Sequence, residues 1–162
     1  MKPTRRISPP GTYFVTSTSW QRGRIFVVDK MARLFLRTLY HYRRQGKYQL
    51  HAFVLMPDHF HLLITPARDV TLERVMQLIK GGFAHTTGEE RGHGKPVWER
   101  GFTDHRIRGV GDFGEHRDYI HANPVRAKLV ERSEDYRYGS AFPGFKLDLW
   151  PPAAKAAGCD AA

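Results

Sequence analysis

Two histidines separated by one residue, His59 and His61 in the segment HFHLLI, are the residues best suited to chemistry. Side chains alternate faces along a strand, so both imidazoles would share one face. Phe60, Leu62 and Ile64 would share the other face, which suits packing against helices. Two imidazoles on one face can converge on a divalent metal. Spacing alone is equally compatible with the polar face of an ordinary sheet, and a metal site needs a third ligand.

A second candidate is Tyr119, in the segment HRDYIHANP. On a helix, Tyr119 and Asn123 lie four residues apart and share a face, whereas His121 points away from it. A phenol can attack a phosphodiester if its proton is lost and positive charge stabilises the transition state. Arg117 and Arg126 would supply that charge. Taken alone, a helical tyrosine more often packs at the edge of a core.

The charge of the chain predicts a polyanionic partner. Its 162 residues include 26 Lys and Arg but only 16 Asp and Glu, giving a formal charge of +10 and a pI near 10.0. Nucleic acid is the commonest partner of such a protein. We find neither a long apolar span nor a basic amphipathic helix suited to a membrane surface. Residues 1–10 lack the apolar run of a signal peptide, and the single cysteine, Cys159, excludes a disulfide framework, so we expect a cytoplasmic protein.

Basic and aromatic residues alternate in two regions, the first third of the chain and residues 98–108. Cationic side chains lie along phosphate backbones, and exposed aromatic rings such as Trp98 or Phe102 would stack on unpaired bases. For any single residue, a solvated basic surface or a core ring is the better explanation, and the +10 charge of the whole chain favours nucleic acid. The candidate DNA-binding residues are Arg5, Arg6, Arg22, Arg24, Arg43, Arg44, Arg106, Arg108, Arg117 and Arg126.

The elements that would position these residues follow from periodicity and turn signals. Strands are predicted within residues 12–18, 48–56, 59–65 and 97–108. Helices are predicted at residues 29–44, 71–86 and 112–122. The order strand, helix, two strands, helix, strand is the split βαβ, ferredoxin-like order. We therefore expect an α+β fold with an antiparallel sheet, helices on one face, and a C-terminal helix carrying Tyr119.

Local signals define the predicted boundaries. Asp29 and Thr71 are candidate helix caps, and residues 88–95 read as a polar loop. Asn123-Pro124 is expected to interrupt the last helix, because a residue that precedes proline disfavours helical geometry. The chain would then divide into a basic flexible arm at 1–11, one domain at 12–140, and an irregular C-terminal tail at 141–162.

Three ordered segments resemble the single-tyrosine HUH transposases, and specifically the REP-associated tyrosine transposases. They read AFVLMPDHFHLL from residue 52, VWERGFTDHRIR from residue 97 and YIHANPVRAKLV from residue 119. The resemblance covers roughly residues 12–140. The segment YRYGS at residues 136–140 departs from the family pattern, in which a tryptophan is followed by serines.

This resemblance implies a metal-dependent single-strand DNA endonuclease and strand-transferase acting on hairpin or palindromic repeat DNA. His59 and His61 would bind Mg²⁺ or Mn²⁺, with Asn123 as a possible third ligand. Tyr119 would attack the scissile phosphate, leaving a 5′-phosphotyrosine link and a free 3′-hydroxyl. Relatives include both monomers and dimers, so either a monomer or a homodimer is compatible with the sequence.

Two other functions are compatible with the same residues. A hairpin-binding module of this fold that no longer cuts would keep the basic surface, but it would not require two histidines and a tyrosine together. A metal-dependent RNA-processing enzyme on a ferredoxin-like scaffold is the third possibility. Substitution of a 2′-deoxy nucleotide would block such an enzyme if it used the 2′-hydroxyl.

Overall fold

The fold is built on a four-stranded antiparallel sheet, seen in a computed structural model that describes residues 7–91 and 94–152. The strands are β1 (Tyr13–Thr18), β2 (Tyr48–Met56), β3 (His59–Pro66) and β4 (Thr103–Arg106). The helices are α1 (Asp29–Arg44), α2 (Leu72–Arg91) and α3 (Val110–Arg126). The strand order is β2-β3-β1-β4, with every neighbouring pair antiparallel, which confirms the predicted ferredoxin-like order.

One face of the sheet carries the main core, covered by α1 and α2. Phe60, Leu62 and Ile64 of β3 all point to this face, as the strand alternation predicts. An aromatic cluster joins the sheet to the helices, with ring centroids 4.8–5.9 Å apart; its members are Phe26, Phe35, Phe60, Phe83 and Trp98. Trp98 is buried and its indole N–H donates to the Lys80 carbonyl, so it is not the base-stacking residue that the sequence suggested.

The opposite face of the sheet is covered by α3. Phe113 and Ile120 pack there against a smaller set of buried side chains, which comprises Ala52, Val54, Met56 and Leu63. These residues belong to β2 and β3, so α3 lies over the centre and one side of the sheet. This placement sets the helix that carries Tyr119 on the same face as His61.

The predicted interruption of α3 at Asn123-Pro124 is wrong, because the helix continues to Arg126. Pro124 lies in the last turn, where its missing N–H removes only one hydrogen bond, and its ring is buried. The helix ends where the Ala127 N–H donates to the Asn123 carbonyl over 3.0 Å. Tyr119 and Asn123 therefore share one unbroken helix.

The other two helices also differ from their predicted ends. Asp29 lies in the first turn of α1 instead of capping it, and Val28 takes the cap position. Helix α2 runs through Gly88 to Arg91, beyond the predicted end near residue 86. Gly82 lies inside this helix at a point of close contact with α1. A Cβ at this position would lie 2.9 Å from the Tyr42 hydroxyl, so a side chain there would crowd the contact. Among the described residues, no helix is long and apolar enough to cross a membrane.

The segment after α3 docks on the outer edge of β2. The Leu55 N–H donates to the Tyr138 carbonyl, and the Ser140 N–H donates to the Phe53 carbonyl, each over 2.8 Å. Farther on, Trp150 stacks on Phe113 of α3 with ring centroids 4.5 Å apart. Residues 141–152 form no helix or strand, yet they cover the edge of the sheet. The predicted boundary at residue 140 stays a prediction.

Asp148 anchors this segment through its carboxylate. Arg43 donates two hydrogen bonds to it, over 3.0 and 2.8 Å, and the Leu50 N–H donates a third over 2.8 Å. Burial by itself would raise the pKa of Asp148, but the bonds from Arg43 and Leu50 lower that pKa below its ordinary value of 3.8. The ionised pair therefore stabilises the fold above pH 3.8, and this stabilisation is lost as the pH falls through the depressed pKa.

We expect Asp148→Asn to lower the free energy of unfolding by about 2 kcal/mol at pH 7, because Arg43 would lose its charged partner. Urea denaturation at pH 7 and pH 3 measures this, and the difference from the unsubstituted protein should shrink at the lower pH. The exposed Asp69 provides the control, since Asp69→Asn should change stability by less than about 0.5 kcal/mol. Equal losses for both variants would contradict the anchoring role.

Candidate active site

His61 is buried, and among the described residues only one of its two ring nitrogens, Nδ1, has a hydrogen-bond partner. It lies on β3 opposite Thr16 of β1, whose hydroxyl is 2.7 Å from His61 Nδ1. The residue is 5% exposed, and its Nε2 has no hydrogen-bond partner within the described part of the chain. When Nδ1–H donates to the Thr16 hydroxyl, the lone pair lies on Nε2. A buried polar atom without a partner is uncommon and is typical of a position that binds a ligand or metal.

His59 is oriented by the preceding residue. Its Nδ1 lies 2.7 Å from Asp58 Oδ1, and the rings of His59 and His61 are 4.8 Å apart. Burial would raise the pKa of Asp58, but the hydrogen bond from His59 and the nearby charges of His59 and Arg22 lower it. The ionised carboxylate accepts a hydrogen bond from His59 Nδ1–H, which leaves Nε2 as the ring nitrogen available to a ligand. Carboxylate–histidine pairs of this kind are common beside protein metal ions.

The electrostatics of His61 suit metal binding. Burial lowers its pKa to about 3, and the nearby charge of His59 contributes in the same direction. His61 is therefore neutral at physiological pH, which is the state of imidazole that binds a metal. The buried Nε2 without a partner and the two oriented rings fit a divalent cation.

Tyr119 lies beside His61. Its ring meets the edge of the His61 ring with centroids 5.4 Å apart, and the side chain is 41% exposed. The Phe14 ring of β1 stacks on the His61 ring with centroids 5.2 Å apart, and it contacts the Tyr119 ring with centroids 5.9 Å apart. Phe14 therefore packs against both rings. The Arg126 guanidinium lies 5.8 Å from the centroid of the Tyr119 ring. The fold thus places an accessible phenol beside a neutral imidazole and a cation.

The neighbours of Tyr119 on α3 are placed as helical spacing predicts. Asn123 is half-buried one turn after Tyr119, and its role as a third metal ligand stays a prediction. His121 turns toward the C-terminal segment, where its Nε2 lies 3.1 Å from the Ser140 hydroxyl. Burial lowers the pKa of His121. His121 therefore serves packing outside the two-histidine site.

The predicted DNA-binding arginines fall into different environments. Arg126 and Arg22 flank the site, the latter exposed and 3.5 Å from Asp58 Oδ2. Arg117 is exposed beside Asp118, and Arg106 is exposed with one hydrogen bond to the Pro10 carbonyl.

The remaining candidate arginines that lie within the described residues are exposed with one exception. Arg24, Arg44 and Arg108 are open to solvent. Arg43 is largely buried in its pair with Asp148, so its guanidinium serves the fold. Arg5 and Arg6 lie outside the described residues.

Sequence reasoning missed three side chains that shape the site: Phe14, Thr16 and Asp58. Asp58 could have been found, because a carboxylate directly before a candidate metal-binding histidine is a recognisable signal. Phe14 and Thr16 reach His61 only through the pairing of β1 with β3. That register depends on strands far apart in the chain, and no local pattern reports it.

Comparison with known proteins gives consistent results. The sequence model of the family described as "Transposase IS200 like" matches residues 12–123, a span that includes His59, His61, Tyr119 and Asn123. An Escherichia coli K12 protein named "REP-associated tyrosine transposase" is 27% identical over 142 residues, which is 87% of this chain and 82% of the relative. A Haemophilus influenzae Rd relative, provisionally given the same name, is 27% identical over 160 residues, covering 91% and 89% of the two chains.

A solved structure supports the same assignment. It is described as a REP-associated tyrosine transposase bound to a REP hairpin, and it superposes with a TM-score of 0.65 and 26% identity. The match covers 86% of this chain and 81% of that structure. The resemblance found in the three sequence segments is thereby confirmed.

Proposed function

The chain belongs to the IS200-like transposase family, and from that membership we propose that it cuts and rejoins single-stranded DNA at hairpin or palindromic repeats. The observation that carries the proposal is the contact between Tyr119 and His61. It joins an accessible nucleophile to a buried, neutral imidazole whose Nε2 has no partner. Taken alone, either residue could have a catalytic role or a packing role. Their contact supports a catalytic role for both.

We assign the metal to the Nε2 atoms of His59 and His61, with the Asn123 amide oxygen as third ligand. Two imidazole donors favour Mn²⁺ over the harder Mg²⁺. When bound, the ion would polarise the scissile phosphate and offset charge in its transition state. Thr16 and Asp58 each contact the Nδ1 atom of one ring, which leaves the Nε2 atoms as the candidate metal ligands.

In the proposed cleavage step, the Tyr119 oxygen forms a bond to phosphorus while the bond from phosphorus to the 3′ oxygen breaks. The phenol loses its proton to solvent, and the departing 3′ oxygen takes one up. The products are a 5′-phosphotyrosine link and a free 3′-hydroxyl. Attack by another 3′-hydroxyl reverses these bonds and completes strand transfer. Arg126, beside the Tyr119 ring, would attract the approaching phosphate and offset its charge.

The proposed substrate rests on the net charge of the chain and on its similarity to a solved structure. The +10 charge suits a phosphate backbone, and the related structure holds a REP hairpin. We assign DNA contacts to five exposed arginines, Arg22, Arg106, Arg108, Arg117 and Arg126, of which Arg22 and Arg126 flank the site. Cytoplasmic location stays a prediction.

The test is incubation with a hairpin oligonucleotide labelled at both ends, in Mn²⁺. We expect a covalent adduct carrying the 3′ portion of the oligonucleotide, and a released 5′ portion ending in a hydroxyl. Tight, salt-sensitive binding without an adduct in any divalent metal would instead identify a hairpin-binding module that no longer cuts.

The hydroxyl of Thr16 supports a further prediction. Thr16→Val should weaken Mn²⁺ binding by about 10- to 100-fold, because His61 loses the contact that orients its ring and places its lone pair on Nε2. Thr16→Ser keeps the hydroxyl and should bind nearly as well as the unsubstituted protein. Titration with Mn²⁺ followed by electron paramagnetic resonance measures this, and equal affinity for the Val and Ser variants would contradict it.

A further inference from the structure

Three metal-ligand side chains meet where β4 joins α3, outside the two-histidine site. His105 comes from β4, and Asp112 and His116 lie one turn apart on α3. His105 Nε2 is 2.8 Å from Asp112 Oδ2, and His116 Nδ1 is 3.1 Å from Asp112 Oδ1. The two imidazoles stack with centroids 4.5 Å apart and planes inclined by 15°.

The donor atoms of this cluster are close enough to share one ion. One ligand atom from each side chain lies within 4.8 Å of the other two. Bonds of about 2.0–2.2 Å around a tetrahedral ion place neighbouring ligand atoms about 3.3–3.6 Å apart. The separations here, 2.8 and 3.1 Å to the two oxygens of Asp112, are somewhat shorter, so the side chains would move apart slightly to take up an ion. All three residues are half-buried, so an ion could enter and keep a water as its fourth ligand.

The charge of the cluster also suits a cation. The hydrogen bond from His105 lowers the pKa of Asp112, helped by the Arg108 N–H, so the carboxylate is ionised at neutral pH. Two imidazole nitrogens with one carboxylate oxygen make a donor set of intermediate softness. Such a set favours Zn²⁺ or Co²⁺ over Mg²⁺ or Ca²⁺.

The cluster is separated from the first site by one aromatic ring. The His116 ring lies 4.9 Å from the Phe14 ring, whose other contacts are His61 and Tyr119. His116 and Tyr119 are three residues apart and face the same side of α3. The start of this helix has no side-chain cap, and β4 is only four residues long. A link between His105 and His116 would therefore fix the rotation of α3 at Tyr119.

We propose that His105, Asp112 and His116 form a second divalent-metal site, of the Zn²⁺ class, which fastens α3 to β4 and holds Tyr119 over His61. Its proposed role is structural, because it lies where β4 meets α3. The ion would replace the hydrogen bonds that the three side chains now make, including the 2.8 Å contact of His116 Nδ1 with the Asp112 backbone carbonyl. This second site is separate from the metal site proposed for cleavage, so either site can exist without the other.

The test uses the full chain with the first site removed by His59→Ala and His61→Ala. Calorimetric titration with Zn²⁺ should show one equivalent bound. Adding His105→Ala and His116→Ala should lower that affinity by at least about 100-fold, the upper end of the loss seen when only an outer-shell partner is removed. His41→Ala, at an exposed histidine of α1, is the matched control and should leave the affinity unchanged.

A second variant and a second measurement distinguish loss of the metal site from loss of the fold. Asp112→Asn preserves the size of the side chain and should also weaken Zn²⁺ binding, with circular dichroism confirming the fold. Zn²⁺ should slow amide hydrogen exchange along α3 in the protein lacking the first site. Absence of Zn²⁺ binding in that protein, or an affinity unchanged by the losses at His105, Asp112 and His116, would overturn the proposal. Because binding is measured instead of cleavage, failure here leaves the proposed DNA chemistry untouched.

Discussion

Replacing Tyr119 with phenylalanine should abolish the covalent protein–DNA adduct and leave hairpin binding intact. The phenylalanine ring keeps the contacts with Phe14, His61 and Arg126, and only the hydroxyl is lost. That hydroxyl is the proposed nucleophile, so adduct formation should fall by at least about 10⁴-fold. Denaturing gel electrophoresis of a labelled hairpin incubated with Mn²⁺ measures the adduct, and fluorescence anisotropy measures binding.

The matched control is Tyr42→Phe, on α1 across the sheet from the site. Tyr42 is half-buried and outside the site, so its loss of a hydroxyl tests for a general effect on the fold. This variant should form the adduct at the unsubstituted rate. An adduct that persists in Tyr119→Phe would show that another residue is the nucleophile and would refute the assignment.

Replacing His61 with glutamine should lower the rate of adduct formation by about 10³-fold at limiting Mn²⁺. Glutamine is of similar size, but it cannot place a neutral imidazole nitrogen where the unpartnered Nε2 lies. Loss of a catalytic metal removes several kcal/mol of transition-state stabilisation, and each 1.36 kcal/mol corresponds to a tenfold change in rate. Single-turnover cleavage across a range of Mn²⁺ concentrations measures the effect.

Two controls separate metal loss from misfolding. A chelator added to the unsubstituted protein should reproduce the defect, and Mn²⁺ should reverse it. His41→Ala removes an exposed histidine on α1 and should leave cleavage unchanged. Equal rates for His61→Gln and the unsubstituted protein at every Mn²⁺ concentration would show that His61 does not bind the metal.

Much of the fold could be predicted because local patterns agreed with the tertiary arrangement. Alternation along β3 correctly separated Phe60, Leu62 and Ile64 from His61, and the order of elements indicated the ferredoxin-like sheet. Predictions that depended on the preference of a single residue were less reliable. The residue before proline disfavours a helix, yet burial of Pro124 in a last turn outweighs that preference in α3. Trp98 could have been a surface or a core ring until four other aromatic residues enclosed it.

The sequence by itself determined the pairs that backbone geometry creates within one element. The shared face of His59 and His61 follows from the two-residue repeat of a strand, and that of Tyr119 and Asn123 from the helical turn. The basic charge needed no structure at all.

Only the tertiary structure decided which of these pairs meet. Tyr119 reaches His61 because α3 docks on that face of the sheet, and Thr16 reaches it because β1 pairs with β3 in one register. His105 joins Asp112 and His116 for the same reason, through contact between β4 and α3. Strand register and helix docking depend on side chains that are far apart in the chain and become buried together. Local periodicity in the sequence does not indicate which of them will meet.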